Sequence, residues 1–325
     1  MNIDDEQAFK VKDIALNRIK LRPFVIFNQV LQTGSILHAA NQLHLSQPAV
    51  TKAIQELEAQ LQVKLFIRKK HGVEPTPEGR LLADRSTHLL TQLRYLVDDI
   101  NSFRGGNTGH IVVGTLLSGS VRLLPEAIIE LKKDYPNVVV TVKVGTIEEL
   151  FPALLKGDLD MVVGRIPSME SKIARQYDLT HTALFRERMN LVVSKNHPLL
   201  LNKAMRLADL LDYPWLLPLP GSEMRQTIAD FFQQKQVPFP HNIIESMSLL
   251  TTIMILIQSE AICCMSDHVA AYLSQNNMLA VLPVEDIGEM VEVGYSLRPN
   301  EALSMACKNL IRIMHRLFDN LNETR

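Results

Sequence analysis

The chain has 325 residues, 46% apolar and 21% charged, a length and balance that suit two or three globular domains and exclude a fibrous or disordered protein. No apolar run reaches the roughly 18 residues of a membrane span, and the acidic start at Asp4, Asp5 and Glu6 lacks the order of a secretory signal, so the expected location is the cytoplasm with no membrane partner. Net charge is −1, yet residues 18–80 hold nine Lys/Arg against four Asp/Glu, the asymmetry of a chain in which one domain meets a polyanion.

Residues 1–17 are an N-terminal extension to which the sequence assigns no function. Residues 18–76 predict a compact head. A first helix runs from about Leu21 to Leu31, with Phe24, Phe27 and Leu31 on one face, and Thr33-Gly34 stops it. Ser35 caps a short second helix, in which Ala39-Ala40 let another helix cross closely. Ser46 caps a third, with Pro48 in its first turn and Ala49, Val50, Ala53, Ile54, Leu57 and Leu61 as its apolar stripe. Gln47, Thr51, Lys52 and Gln55 lie toward the other side. Two short helices with a tight connection, the second opening on a polar face, describe a helix-turn-helix; an ordinary helical hairpin with a solvated face fits the same spacings. Gln47 and Thr51 stand a turn apart, and glutamine can pair bidentately with adenine in the major groove. Leu65-Phe66-Ile67 then reads as a strand, Arg68-Lys69-Lys70-His71-Gly72 as a basic turn and Val73-Glu74-Pro75 as the return. This is a β-hairpin wing whose cations suit backbone phosphates.

Here the sequence resembles the LysR-type transcriptional regulators. The resemblance is carried by Ala39-Ala40, Leu45-Ser46-Gln47-Pro48-Ala49-Val50, Ile54, Leu57-Glu58, Leu65-Phe66, Arg68 and Thr76-Pro77-Glu78-Gly79. It implies that Gln47, Pro48 and Thr51 touch bases and that Arg68 meets the DNA backbone or minor groove. Position 51 is often serine in that family; threonine keeps the hydroxyl and adds a methyl. The candidate contacts to a double-stranded operator are therefore Ser46, Gln47, Pro48, Thr51, Lys52, Gln55, Arg68, Lys69 and Lys70.

Residues 77–106 form a linker. Thr76 caps a helix from Pro77 to about Phe103, and Gly105-Gly106 ends it. Leu82, Ser86, Leu89, Leu93, Leu96, Ile100 and Phe103 alternate four and three apart, the seam of a coiled coil; packing of that stripe onto its own domain is the alternative. The expected partner is a second copy, and the resemblance implies dimers that often pair into tetramers.

Residues 107–325 alternate short apolar strands with helices, an α/β pattern with a largely parallel sheet. Strands are expected at Ile111–Gly114, Val138–Val144, Leu159–Val163, Met189–Val193, Trp215–Leu217, Ala261–Met265 and Glu292–Leu297. Helices are expected at Leu123–Tyr135, Ile147–Lys156, Ile228–Gln234, Ser248–Ile257 and Leu303–Leu321. The resemblance, weaker here, rests on Gly114-Thr115, Leu124-Pro125, Gly157-Asp158-Leu159-Asp160 and Asn196-His197-Pro198. It implies a two-lobed effector domain like the type 2 periplasmic binding proteins: lobe I at about 107–164 and 290–325, lobe II at about 165–289, with crossovers near Val163–Ile166 and Pro283–Glu292.

Ligands in such sheets settle beyond the carboxyl ends of strands, beside helix N-termini. The candidate effector contacts are Thr115, Ser118, Thr146, Arg165, Gly221, Ser222 and Ser248; the resemblance implies Ser118 and Thr146, and the second-lobe positions follow from the strand ends. Helix capping is an equally good reading of each hydroxyl. Hydroxyls beside free N–H groups suit an organic acid, whereas Glu148 and Glu149, if they faced the cleft, would favour a sugar-like molecule. No phosphate loop, nucleophile elbow or metal-ligand spacing occurs, so no catalytic residue, metal or cofactor is expected. Adjacent Cys263 and Cys264 fall on opposite faces of a strand and so cannot both line one pocket; they read as buried apolar residues, and a redox input, or no ligand input, is the alternative to an effector.

Overall fold

The computed structural model describes residues 20–70, 72–103, 108–168, 172–201, 205–284 and 287–318. The extension 1–17, His71 of the wing, and the helix-ending Gly105-Gly106 lie outside the described residues. The chain divides into two units, Met1–Arg94 and Tyr95–Arg325.

In the first unit, α1 (Leu21–Thr33) ends where Gly34 adopts the left-handed conformation, φ 61°. The Ser35 hydroxyl caps α2 (Ile36–Gln42) by accepting from the His38 N–H, and Ser46 caps α3 (Gln47–Leu61) through the Ala49 N–H. Ala39 and Ala40 are fully buried, so small side chains do sit where helices pack closely. Phe24, Phe27, Val30, Val50, Ile54, Leu57 and Leu65 complete one core, and burying each such side chain contributes about 1.5–3 kcal/mol.

β1 (Phe66–Lys69) and β2 (Gly72–Pro75) pair antiparallel as the wing. Arg68 and Lys69 thus belong to the strand rather than to the expected turn. Gly72 anchors the wing to the turn after α1. Its φ is +138°, the following Val73 N–H donates to Gly34 O at 2.9 Å, and a Cβ at position 72 would lie 2.3 Å from that same oxygen. Only glycine fits there. The Thr76 hydroxyl accepts from the Gly79 N–H and donates to Lys64 O, opening α4 (Pro77–Phe103). On α4, Leu82 packs on the head core and Ser86 bonds Asn28, whereas Leu89, Leu93, Leu96 and Ile100 are exposed.

The second unit opens with Tyr95. Its hydroxyl donates to Asp160 Oδ1, while Asp160 Oδ2 accepts from the Val112 N–H. Arg298, 5% exposed, donates to the Tyr95 oxygen and to the carbonyls of Leu154 and Leu159. The strands and helices follow as β3 (Gly109–Thr115), α5 (Leu117–Val121), α6 (Leu123–Asp134), β4 (Val138–Val144), α7 (Ile147–Lys156), β5 (Met161–Arg165), α8 (Lys172–Gln176), β6 (Thr180–Ser194), β7 (Trp215–Leu217), α9 (Glu223–Gln234), β8 (Ile243–Glu245), α10 (Leu249–Gln258), β9 (Ile262–Ser266), α11 (Asp267–Gln275), β10 (Leu279–Val281), β11 (Ile287–Leu297) and α12 (Met305–Phe318).

One sheet runs in the order β4-β3-β5-β11-β6-β9-β7-β8, with β10 also on β6. Its two halves form two lobes, each covered by helices on both faces. In the first, Ile111, Val113, Met161 and Val163 pack under α6 and α12 while Val112 and Val162 pack under α7. In the second, Leu191, Trp215 and Ile262 pack under α9 while Val192, Leu216 and Cys263 pack under α10 and α11. Alternate residues of one strand thus feed opposite cores. Trp215 is fully buried, its Nε1–H donating to Leu210 O and its ring set edge-on to Phe232 at 5.1 Å.

β6 and β11 are the strands that pass from one lobe to the other. Residues 180–189 of β6 pair with β11, and residues 189–194 pair with β9 and β10. The chain therefore enters the second lobe along β6, later than the crossover expected near Val163–Ile166. The strand expected at Met189–Val193 begins nine residues earlier, at Thr180.

Candidate nucleic-acid and effector sites

Ser46 and Pro48 set the start of α3, and Gln47, Pro48, Lys52 and Gln55 are exposed. Thr51 and Gln55 line a groove together with Arg68 of the wing, so helix and wing present one polar surface. The Glu58 carboxylate forms its floor, accepting from the Leu65 N–H at 2.9 Å and from Lys64 Nζ at 2.7 Å. Burial pushes that carboxyl up, but Lys64 and the Leu65 N–H outweigh it and hold it below the usual range. Lys69 and Lys70 are exposed, with Lys69 3.4 Å from Glu74 across the hairpin. Such a surface pair contributes little to stability and leaves the tip cationic.

In the second unit, the Ser118 hydroxyl accepts from the Arg165 N–H at 2.9 Å, tying α5 to the end of β5. The Arg165 guanidinium reaches α9 of the second lobe, donating to Thr227 Oγ1 at 3.2 Å and lying 3.7 Å from Met224 Sδ. Ser118, Arg165 and the first turns of α9 are thus brought together where the lobes meet. Thr146 opens α7, and the Glu149 carboxylate turns back to accept from its N–H at 3.0 Å. Glu149 is committed to its own helix end rather than to the cleft.

Other expected contacts are spent within the fold. Thr115 is fully buried and its hydroxyl bonds Val163 O and Leu116 O, which corrects its expected place at the effector: it is an internal strut. Ser222 accepts from the Arg225 N–H and donates to Leu219 O, and Ser248 accepts from the Thr251 N–H and hydroxyl. Both therefore cap their helices, as one of the two readings of each held. Gly221, φ 86°, sits in the turn before α9 with open space where a Cβ would be.

Cys263 and Cys264 do face opposite cores. Burial pushes the Cys264 thiol up to about 12 and that of Cys263 higher still, so both stay protonated, whereas the reactive species would be the thiolate.

Sequence reasoning passed over Glu187, Ser266, Asp267 and His268, which gather around Arg165 at the lobe junction. The missing signal was the early half of β6. With the strand begun at Met189, Glu187 fell outside it, and an acid at an inward strand position went unremarked.

A winged helix-turn-helix, a long helix with an exposed apolar stripe, and two α/β lobes meeting at an arginine define a DNA reader joined to a ligand-binding body. The chain belongs to the LysR family of transcriptional regulators: the LysR substrate binding domain model matches residues 104–319, and that of the bacterial regulatory helix-turn-helix protein, lysR family, matches residues 21–80. It is a DNA-binding regulator of transcription. It is 31% identical to the HTH-type transcriptional regulator PcaQ of Agrobacterium fabrum over 94% of this chain and 98% of that one. It is 28% identical to the regulator GbpR of Azospirillum brasilense over 82% and 77% of the two chains. Full-length CbnR, solved with its target DNA, superposes with a TM-score of 0.63 at 21% identity, covering 92% of this chain and 99% of that one. Among the described residues no helix is long and apolar enough to cross a membrane.

Proposed function

We propose that the protein works in the cytoplasm as a dimer on a double-stranded operator, reading bases with Gln47, Pro48, Thr51 and Gln55 and holding phosphates with Arg68, Lys69 and Lys70. The dimer forms along α4, where Leu89, Leu93, Leu96 and Ile100 keep the seam spacing and stand 47%, 37%, 56% and 46% exposed in the single chain. The body regulates that grip by binding a small organic acid between the lobes.

One observation carries the sensor reading: Arg165, tied at a strand end of the first lobe by its backbone N–H to the Ser118 hydroxyl, extends its guanidinium to Thr227 of the second lobe. An anion there would gain charge-assisted bonds from both lobes at once, and a ligand shifts an equilibrium only by its differential affinity for the two states. Ser118, Thr146, Arg165 and the backbone turn at Gly221 are the contacts in this reading. The turned-back Glu149 and the protonated thiols both favour a carboxylate ligand over a sugar or a redox input.

The test is a thermal-shift screen of the full chain against a panel of carboxylic acids and sugars, repeated with Arg165→Gln. A carboxylate should raise the melting temperature of the wild type, and the variant should need about tenfold more. Stabilisation by sugars alone, or an unchanged response in the variant, would overturn the organic-acid assignment.

A further inference from the structure

Among the described residues, four buried side-chain nitrogen or oxygen atoms have no hydrogen-bond partner: Arg165 Nε, Glu187 Oε2, Ser266 Oγ and Asp267 Oδ1. All four belong to one cluster, since Asp267, Ser266 and Arg165 are the groups that act on the Glu187 carboxyl. Glu187 is 2% exposed and Ser266 6%. Two of these atoms, Glu187 Oε2 and Asp267 Oδ1, are carboxylate oxygens, and buried oxygens are not left without a donor or a cation at no cost. One ligand atom each from Glu187, Asp267 and His268 lies within 4.8 Å of the others, the spread of donors around a single ion. Asp267 and His268 are only partly buried, which gives access from solvent.

We propose that Glu187, Asp267 and His268, with the Ser266 hydroxyl beside them, form a site for a first-row divalent metal ion at the junction of the lobes. Two carboxylate oxygens and one imidazole suit manganese, iron or zinc better than calcium or magnesium, which prefer oxygen alone. Two guanidiniums face the site, and both bear on the argument. Arg165 lies close enough to lower the Glu187 carboxyl, while its Nη2 donates to Thr227. Arg122, which follows α5 in the first lobe, donates from Nη1 to His268 Nδ1 at 3.2 Å.

That last bond gives the site a regulatory consequence. A neutral imidazole has one lone pair, and here Arg122 uses it. A metal ion on either ring nitrogen needs the same lone pair, because the other nitrogen then carries the hydrogen. The ion and the Arg122–His268 bond therefore exclude each other. Since Arg122 comes from one lobe and His268 stands in the first turn of α11 in the other, the ion unties a link between lobes and leaves Arg122 its existing bond to Glu126, 3.2 Å from its Nε. The ion would act on the same lobe junction as the effector reading above, but its binding is independent of any organic ligand.

The experiment is calorimetric titration of the untagged, chelator-stripped full chain with manganese chloride and with zinc chloride. One ion per chain is expected. Glu187→Gln, nearly isosteric, should weaken binding by roughly tenfold or more. Arg122→Met, which removes the competitor for the lone pair and ligates nothing in this scheme, should strengthen it severalfold. Circular dichroism and melting of each variant separate loss of a ligand from loss of fold. No stoichiometric binding to the wild type, or binding that Glu187→Gln leaves unchanged in a folded chain, overturns the site. Weaker binding in folded Arg122→Met overturns the competition. A carboxylate response in the absence of metal bears only on the effector reading.

Discussion

At Glu187 the cost of burying an acid without a full set of partners has a measurable sign. Burial and then the Asp267 charge raise its carboxyl to about 7, against an ordinary value of 4.5, despite relief from Ser266 and Arg165. A raised carboxyl favours the folded chain most while both states are protonated, and that contribution is lost as pH climbs from the ordinary value through the folded one. Glu187→Gln stays neutral throughout. Between about pH 5 and about pH 7.5 the variant's melting temperature should therefore fall less than the wild type's; parallel curves would place the proton elsewhere. Glu58 runs the other way, its ionised form held by Lys64 and the Leu65 N–H. Its sequence neighbourhood, Leu57-Glu58, marks the family but says nothing of why an acid stands there. The reason is a backbone N–H seven residues on, visible only once α3 and β1 are packed.

At the level of elements, the proposed reading divides the labour of DNA binding between α3 and the wing. Gln47 sits at the exposed start of α3, where the helix can reach base edges, while Lys70 stands at the wing turn. Gln47→Ala should cost about 1–3 kcal/mol at the specific operator and nearly nothing on random DNA. Lys70→Ala should weaken both alike and lower the salt dependence by roughly one unit. Lys70 is preferred to Lys69 for this comparison because Lys69 already faces Glu74. Identical behaviour of the two variants in fluorescence anisotropy titrations would erase the division.

Elements with a clean period were legible in the sequence: the bounds of α4, β4, α7 and β7 follow from apolar spacing and caps alone. The crossing strand β6 was half legible, because its first eight residues serve one core and its last six another, so no single alternation spans it. The short helices α5 and α11 were missed for a related reason: with five and nine residues each repeats its apolar face at most twice, and each is held by contacts with the sheet. The site suffered most from this, since Arg122, Asp267 and His268 stand at or beside the ends of those two helices. Ser222 and Ser248 cap helices that start at Glu223 and Leu249, against expected starts at Ile228 and Ser248, and a capping hydroxyl and a ligand-binding one look the same in a sequence.

For the whole molecule, the proposed dimer turns on one stripe of α4. Leu93 lies mid-seam and is exposed in the single chain. Leu93→Lys in both copies would oppose two charges where two leucines should meet. Sedimentation should then show a monomer with unchanged circular dichroism and a large loss of operator affinity, since each head alone reads a half-site. A variant that stays dimeric would mean that another surface holds the pair.

The fold also places the chain's sole tryptophan, Trp215, deep in the second lobe against Phe232, with its indole N–H bonded to Leu210 O. Fluorescence from the unlabelled protein therefore comes from one known address. Excited at wavelengths that spare tyrosine, the molecule reports polarity and quenching in that lobe and is blind to the head. A change of emission on adding operator DNA would be a message received about the far end of the chain, read without attaching a dye.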